Sequence, residues 1–259
     1  MTTQPLHVHL LPTLIEPAAL SDGTAVIIDI LRASSTIITA LHNGAVRVVP
    51  CGTPEEAMRV RTAAAPGTVL LGGERRGVRI NGFDLGNSPV EYGPETVAGR
   101  TVAFTTTNGT KALLAAASAQ SILIGAFLNR SALVARLQRE HRPTHLICAG
   151  TDGVITGEDV LFAGAVVSEL LQTADGIGDS PPHWSLNDSA VIAMNHCTMA
   201  MSDSRSSPVS QLDSILRETR GGRNLSDLGY HSDIELCSRL DCSTSVPEYD
   251  RGGLCLRCR

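Results

Sequence analysis

The chain has 259 residues, 42% hydrophobic and only 3% aromatic, so it can bury a large core built from Ala, Val, Leu and Ile. Its net charge of −5 argues against broad nucleic-acid binding. The lack of a stretch of about 18 apolar residues or a charged-then-apolar leader argues against a membrane span and predicts a cytoplasmic protein.

His7 and His9 lie in a short alternating run that reads as a first strand, where solvated histidines are more ordinary than metal ligands. Residues 26–30, Val-Ile-Ile-Asp-Ile, read as a buried strand, followed by a turn through Leu31-Arg32-Ala33-Ser34-Ser35-Thr36 and a helix over 37–41. In an open α/β sheet, ligands sit beyond the carboxyl ends of strands, which places Asp29 and Arg32 where chemistry occurs. A second strand and helix are predicted at 46–50 and 54–64, the helix entered through Thr53-Pro54-Glu55-Glu56. A strand at 69–71 then runs into residues 72–92, which gather glycines, Glu74, Arg75, Arg76, Arg79 and Asn87-Ser88-Pro89 without helical or strand periodicity. A polar loop this long is either functional or disordered, and Ile80, Phe83 and Leu85 argue against disorder.

The next strand, 102–105, leads through Thr106-Thr107-Asn108-Gly109-Thr110-Lys111 into a helix over 112–119. Small hydroxylated residues and a glycine at such a junction offer backbone N–H groups to an anion, although an ordinary helix cap is the plainer reading. The spacing is not that of a Walker loop. A strand at 122–126, a helix at 131–140 and a strand at 145–149 follow, and Glu158 and Asp159 then open a helix over 160–172. These paired acids suit either a helix N-terminus or a hard cation. Residues 173–182 read as an exposed connection, 189–201 and 211–218 as helices, and 220–224 as a turn around Gly221-Gly222. A short helix is predicted within 225–240. Cys237, Cys242, Cys255 and Cys258 read as free cysteines, with a structural zinc site as the alternative.

Alternating strands and helices predict a three-layer α/β/α fold with a largely parallel or mixed central sheet. Residues 1–247 are expected to form the domain and 248–259 an irregular Cys/Arg-containing tail. Carboxylates, arginines and helix N-termini on one rim suit a divalent metal and a phosphorylated anion.

Four segments carry a resemblance to a known family. They are Asp29-Ile-Leu-Arg-Ala-Ser-Ser-Thr36, Gly72-Gly-Glu-Arg-Arg-Gly with Asn81-Gly-Phe-Asp-Leu-Gly-Asn-Ser-Pro-Val-Glu91, Thr105-Thr-Thr-Asn-Gly-Thr-Lys-Ala-Leu113, and Cys148-Ala-Gly with Glu158-Asp-Val-Leu-Phe-Ala-Gly164. Together, over residues 6–247, they resemble the 2-phosphosulfolactate phosphatase (ComB) family, with Thr156-Gly157 in place of a Ser-Leu pair. The resemblance implies Mg²⁺-dependent hydrolysis of 2-phospho-3-sulfolactate, a step toward coenzyme M. On this reading Asp29, Glu74, Glu158 and Asp159 hold Mg²⁺, and Asp29, Arg32, Glu158 and Asp159 form the catalytic set. Arg75, Arg76, Arg79, Asn87, Ser88, Thr107, Asn108, Gly109 and Thr110 bind the small anionic substrate. Water is favoured as the nucleophile, because Leu31 stands where a haloacid-dehalogenase phosphatase carries its second acid. A non-catalytic anion-binding protein is the competing class, though a binder has no need of these acids. A homodimer is the default assembly for a protein of this size.

Overall fold

The computed structural model describes residues 3–174, 183–202 and 207–258. In chain order it runs β1 (Thr3–His9), β2 (Thr24–Ile28), α1 (Ala33–His42), β3 (Arg47–Pro50), α2 (Pro54–Thr62), β4 (Val69–Arg75), β5 (Val78–Arg79), α3 (Pro94–Val97), β6 (Thr101–Thr105), α4 (Gly109–Ala115) and β7 (Ser121–Gly125). Then come α5 (Arg130–Leu137), β8 (Thr144–Cys148), α6 (Gly157–Ala174), β9 (His183–Leu186), α7 (Asp188–Ala200), α8 (Pro208–Glu218), α9 (Arg220–Asp227), α10 (His231–Cys237), β10 (Glu248–Asp250) and β11 (Cys255–Arg257). The strands form one mixed sheet in the order β5-β4-β6-β3-β11-β10-β7-β2-β8-β1-β9, as the alternating pattern predicts. Its main strands pair in parallel; β5, β10 and β11 are antiparallel.

Central strands covered on both faces should be continuously apolar, and β2, Thr-Ala-Val-Ile-Ile, is buried at every position. Local chemistry ends the helices where expected: Thr53 caps α2 by accepting the Glu56 N–H at 3.2 Å, with Pro54 in the first turn. Among the described residues no helix is long and apolar enough to cross a membrane. The connection predicted at 173–182 lies mostly outside the described residues.

Three expectations need correcting. The stretch at 72–92 is not loop throughout, because β4 continues to Arg75 and turns into β5 through Arg76 and Gly77, with φ of 53° and 78°. Positive φ at both central positions is the two-residue hairpin solution that matches strand twist, and a glycine at the second favours it. Residues 220–224 are not a turn but the start of α9, whose N-cap Thr219 accepts the Gly222 N–H at 3.1 Å. The tail beyond 247 is not irregular. β10 pairs with β7 and β11 with β3, so the terminal hairpin joins the two halves of the sheet, with Cys255 and Leu256 buried. Three-residue strands carry too little pattern to show this in advance.

Gly73 lets β4 and β6 approach closely. Its φ is 147°, and a methyl group there would lie 2.1 Å from the Thr105 carbonyl oxygen. Gly73→Ala should therefore destabilise the protein by about 3 kcal/mol, lowering the thermal midpoint by roughly 6–12 °C, because backbone cannot yield as a side chain can. A midpoint unchanged by calorimetry would refute the close approach.

The first strand carries a histidine cluster. His7 and His9 stack on His145 of β8, with ring centroids 5.1 and 5.4 Å away, and His9 Nε2 lies 3.1 Å from His145 Nδ1. Burial lowers all three side chains, His9 and His145 to about 4. Unfolded histidine binds its proton near pH 6.5, so the unfolded state takes up more protons between about pH 4 and 6.5. The histidine contribution to stability is thus complete above that window and falls as pH drops through it. The raised carboxyls of Asp29, Glu158 and Asp159 act in the opposite sense, so the contribution is read as a difference: from pH 7.5 to 5 the urea midpoint should shift less favourably in wild type than in His9→Gln, and equal shifts would refute it.

Candidate active site

The carboxyl end of β2 sets the site. An apolar strand delivers Asp29 to the rim, where the chain turns at once into α1: Asp29 Oδ1 accepts the Ala33 N–H at 3.2 Å, and the Asp29 N–H donates to Ser34 Oγ at 3.0 Å. Ser34 Oγ also donates to the Ile27 carbonyl at 3.2 Å, which locks the strand-to-helix turn. Asp29 Oδ2 points toward Gly109, where an added methyl would lie 3.2 Å from it. Burial pushes the Asp29 carboxyl up to about 7; the Ala33 N–H opposes this, while Glu74 and Glu158 add to it.

Neighbouring strand ends bring the other acids. Glu74, at the end of β4, accepts the Thr107 N–H at 2.8 Å and the Gly77 N–H at 2.7 Å, tying the β4–β5 hairpin to the turn after β6. Glu158 and Asp159 start α6 but differ in role. Asp159 is spent on backbone: Oδ1 accepts the Ile30 N–H at 2.9 Å and Oδ2 the Gly150 N–H at 3.0 Å, which braces the ends of β2 and β8 against each other. Burial, then the charges of Glu158 and Asp29, raise its carboxyl well above the usual range. Glu158 is 2% exposed, its carboxyl raised by burial, and its Oε2 has no hydrogen-bond partner among the described residues. A methyl on Gly221 would lie 2.1 Å from Glu158 Oε1, so this glycine at the start of α9 makes room for the carboxylate, while Gly222 lies against the Leu216 carbonyl.

Arg32 is buried. Its Nη1 donates to Asp233 Oδ2 at 2.5 Å and its Nη2 to the Gly77 carbonyl at 2.7 Å, while its guanidinium lies 4.3 Å from the Tyr230 ring centre. Ser88 Oγ donates to the other Asp233 oxygen at 2.6 Å.

Some of these groups line a cleft of about 490 Å³: from the first half of the chain its walls include Asp29, Arg32, Glu74, Arg76, Asn87 and Thr106 to Asn108, while Glu158, Asp159 and Asp233 lie behind them. Thr151 and Asp152, with Gly221, Asn224 and Asp227 of α9, complete the lining. Asn87 Oδ1 and Thr107 Oγ1 are buried without a partner among the described residues. Polar atoms left so are costly unless a ligand or water meets them.

The expected substrate-binding set thus divides. Arg76, Asn87, Thr107 and Asn108 line the cleft; Gly109 and Thr110 face a small apolar cavity behind Asp29. Arg75 does not reach the cleft, because its guanidinium donates to the Glu74 carbonyl at 2.7 Å and Thr105 Oγ1 at 3.0 Å. Arg79 is exposed on β5, turned to the Asp84 carbonyl at 3.4 Å, and Ser88 is held by Asp233. In the hairpin Arg79 pairs with Glu74 and Arg75 with Val78, so Arg75 and Arg79 fall on opposite faces, and Arg76 sits in the turn between them. Asp152, the α9 residues, Tyr230 and Asp233 escaped the sequence reading; the glycine pair at 221–222 was the one signal that backbone there is approached closely.

Among the described residues, no three His, Cys, Asp or Glu side chains form a ready metal cage, and Cys237, Cys242, Cys255 and Cys258 are free. The oxygen donors of the cleft still fit magnesium. That ion commonly takes one or two carboxylates and fills its octahedron with water and substrate oxygens; Asp29 and Glu74 line the cleft, and Glu158, whose Oε2 is unpartnered among the described residues, lies buried behind Gly221 and near enough to Asp29 to raise its carboxyl.

The family described as 2-phosphosulpholactate phosphatase matches residues 9–252. The chain belongs to this family. Its relatives include the probable 2-phosphosulfolactate phosphatases of Caldanaerobacter subterraneus subsp. tengcongensis, 37% identical over 90% of this chain and 90% of that protein, and of Thermotoga petrophila, 38% identical over 90% and 92%. That of Symbiobacterium thermophilum is 38% identical over 92% of this chain and 95% of its own. The match to the 2-phosphosulpholactate phosphatase family spans every strand-end segment of the cleft and also α9 and α10, which carry Gly221 and Asp233.

Proposed function

We propose that this protein is a Mg²⁺-dependent phosphatase that hydrolyses 2-phospho-3-sulfolactate, or a closely related small phosphorylated hydroxy acid, in coenzyme M-type sulfonate biosynthesis. The observation that carries the reading is the meeting of buried Asp29 and Glu74 with the Thr106–Asn108 turn in one cleft at the rim of the sheet, with Glu158 buried close behind Asp29. Asp29 and Glu158 would hold Mg²⁺, with Glu74 assisting through water and Asp159 bracing the strand ends behind them. The ion would supply Lewis-acid activation of the phosphoryl group and neutralise charge on its oxygens.

Charge supports this assignment. The cleft is lined by four carboxylates, Asp29, Glu74, Asp152 and Asp227, against two guanidiniums, Arg32 and Arg76, so a polyanionic substrate needs a further dication to enter. Arg32 offers its remaining N–H groups to the phosphoryl oxygens, and Thr107 Oγ1 with Asn87 Oδ1 orients the bound molecule and attacking water. Water oxygen bonds to phosphorus as the ester P–O bond breaks, and the proton that the water gives up passes to the leaving oxygen, which becomes the 2-hydroxyl. Arg76, on the hairpin tip, faces the sulfonate or carboxylate end.

The test is a screen for phosphate release from small phosphorylated hydroxy acids, with and without Mg²⁺. Release from phosphosulfolactate only when Mg²⁺ is present is expected; no release from any member would end the reading. Should Asp29→Ala retain ligand binding but lose turnover, a non-catalytic binder is excluded as well.

A further inference from the structure

We infer that Asp233, on α10, is a positioning residue for the reaction: it fixes the Arg32 guanidinium and the Asn87 segment on the cleft wall. The inference rests on the phosphatase reading above, within which Arg32 is the phosphoryl contact. Asp233 lies 201 positions from Arg32 in sequence and is 1% exposed. Its two oxygens divide between two cleft segments, Oδ2 taking Arg32 Nη1 at 2.5 Å and Oδ1 taking Ser88 Oγ at 2.6 Å. Ser88 follows Asn87, whose carbonyl accepts Thr36 Oγ1 at 3.0 Å, so Asn87 is pinned between α1 and α10.

A buried ion pair is weak as a source of stability, since desolvating both charges offsets their attraction. The arrangement has a clearer use in orientation. Arginine carries five N–H donors in a rigid plane. Asp233 and the Gly77 carbonyl engage one on each terminal nitrogen, and Tyr230 covers the guanidinium at 4.3 Å. The plane is thereby fixed, and the donors left over serve the cleft that Arg32 lines. A freely rotating arginine would have to be ordered at each turnover; this one is ordered beforehand.

The experiment is a double-mutant cycle. Asp233→Asn keeps the shape and the Ser88 contact but drops the charge, and Arg32→Lys keeps the charge but loses the fork. Asp233→Asn should lower kcat by about 30-fold in the wild-type background and by less than about threefold beside Arg32→Lys, because the group it positions is already gone. An equal factor in both backgrounds overturns the inference. If Asp233→Asn fails to fold, Ser88→Ala, which leaves the ion pair intact, should still lower kcat several-fold and weaken inhibition by inorganic phosphate; unchanged values for both overturn it. Calorimetric binding of inorganic phosphate separates the two readings. Wild-type protein that binds phosphate, more weakly after Asp233→Asn, upholds the positioning role even where no ester is hydrolysed, whereas equal binding in both refutes it.

Discussion

Asp29→Asn is expected to lower kcat for phosphate release by about 10³-fold, equivalent to roughly 4 kcal/mol of transition-state stabilisation. The substitution is nearly isosteric, and the amide oxygen can still accept the Ala33 N–H that anchors the turn into α1. What disappears is the negative charge of a carboxylate that lines the cleft. Stability should move the other way. Burial raises the Asp29 carboxyl from 3.8 to about 7, so the native state holds a proton that the unfolded chain releases, and stability falls as pH rises through that interval. In EDTA at pH 8 the asparagine variant should therefore melt no lower than wild type, and above it if desolvation dominates. An inactive but equally stable variant is the mark of a group kept for chemistry. Activity within about threefold of wild type would remove Asp29 from the mechanism.

Much of this was legible because parallel α/β sheets place ligands at strand ends, and strand ends are visible as apolar runs that stop. Asp29, Glu74 and the Thr106–Asn108 turn, all of which line the cleft, were placed that way, whereas Glu158 stood out only as one of two adjacent acids at a helix start. The distinction between Glu158 and Asp159 was not legible, since two adjacent acids look alike until the Ile30 and Gly150 N–H groups claim the second. Asp233 was illegible for another reason: its partner is 201 positions away, and an isolated acid on a short helix carries no periodic or spacing signal. The terminal hairpin was missed because its strands are three residues long and draw their order from β3 and β7 rather than from their own pattern.

Arginine rank is the sharpest test of that division. Arg32→Ala should lower kcat by about 10²–10³-fold and also destabilise by about 3–5 kcal/mol, because Asp233 is left buried and uncompensated. Arg79→Ala should change kcat by no more than about twofold and stability by no more than about 0.5 kcal/mol, because β5 carries it on an exposed surface outside the cleft. Loss of stability alone could mimic loss of activity, so Arg32→Lys is the more telling variant. It keeps a cation beside Asp233 but cannot make the two-sided contact to Asp233 and the Gly77 carbonyl at once. At a temperature where Arg32→Lys is fully folded, a kcat reduced more than tenfold assigns the effect to geometry at the cleft. Comparable kcat values for Arg32→Lys, Arg79→Ala and wild type would show that no phosphoryl contact is made by Arg32, and the anion would have to be held by Arg76 and the threonine turn alone.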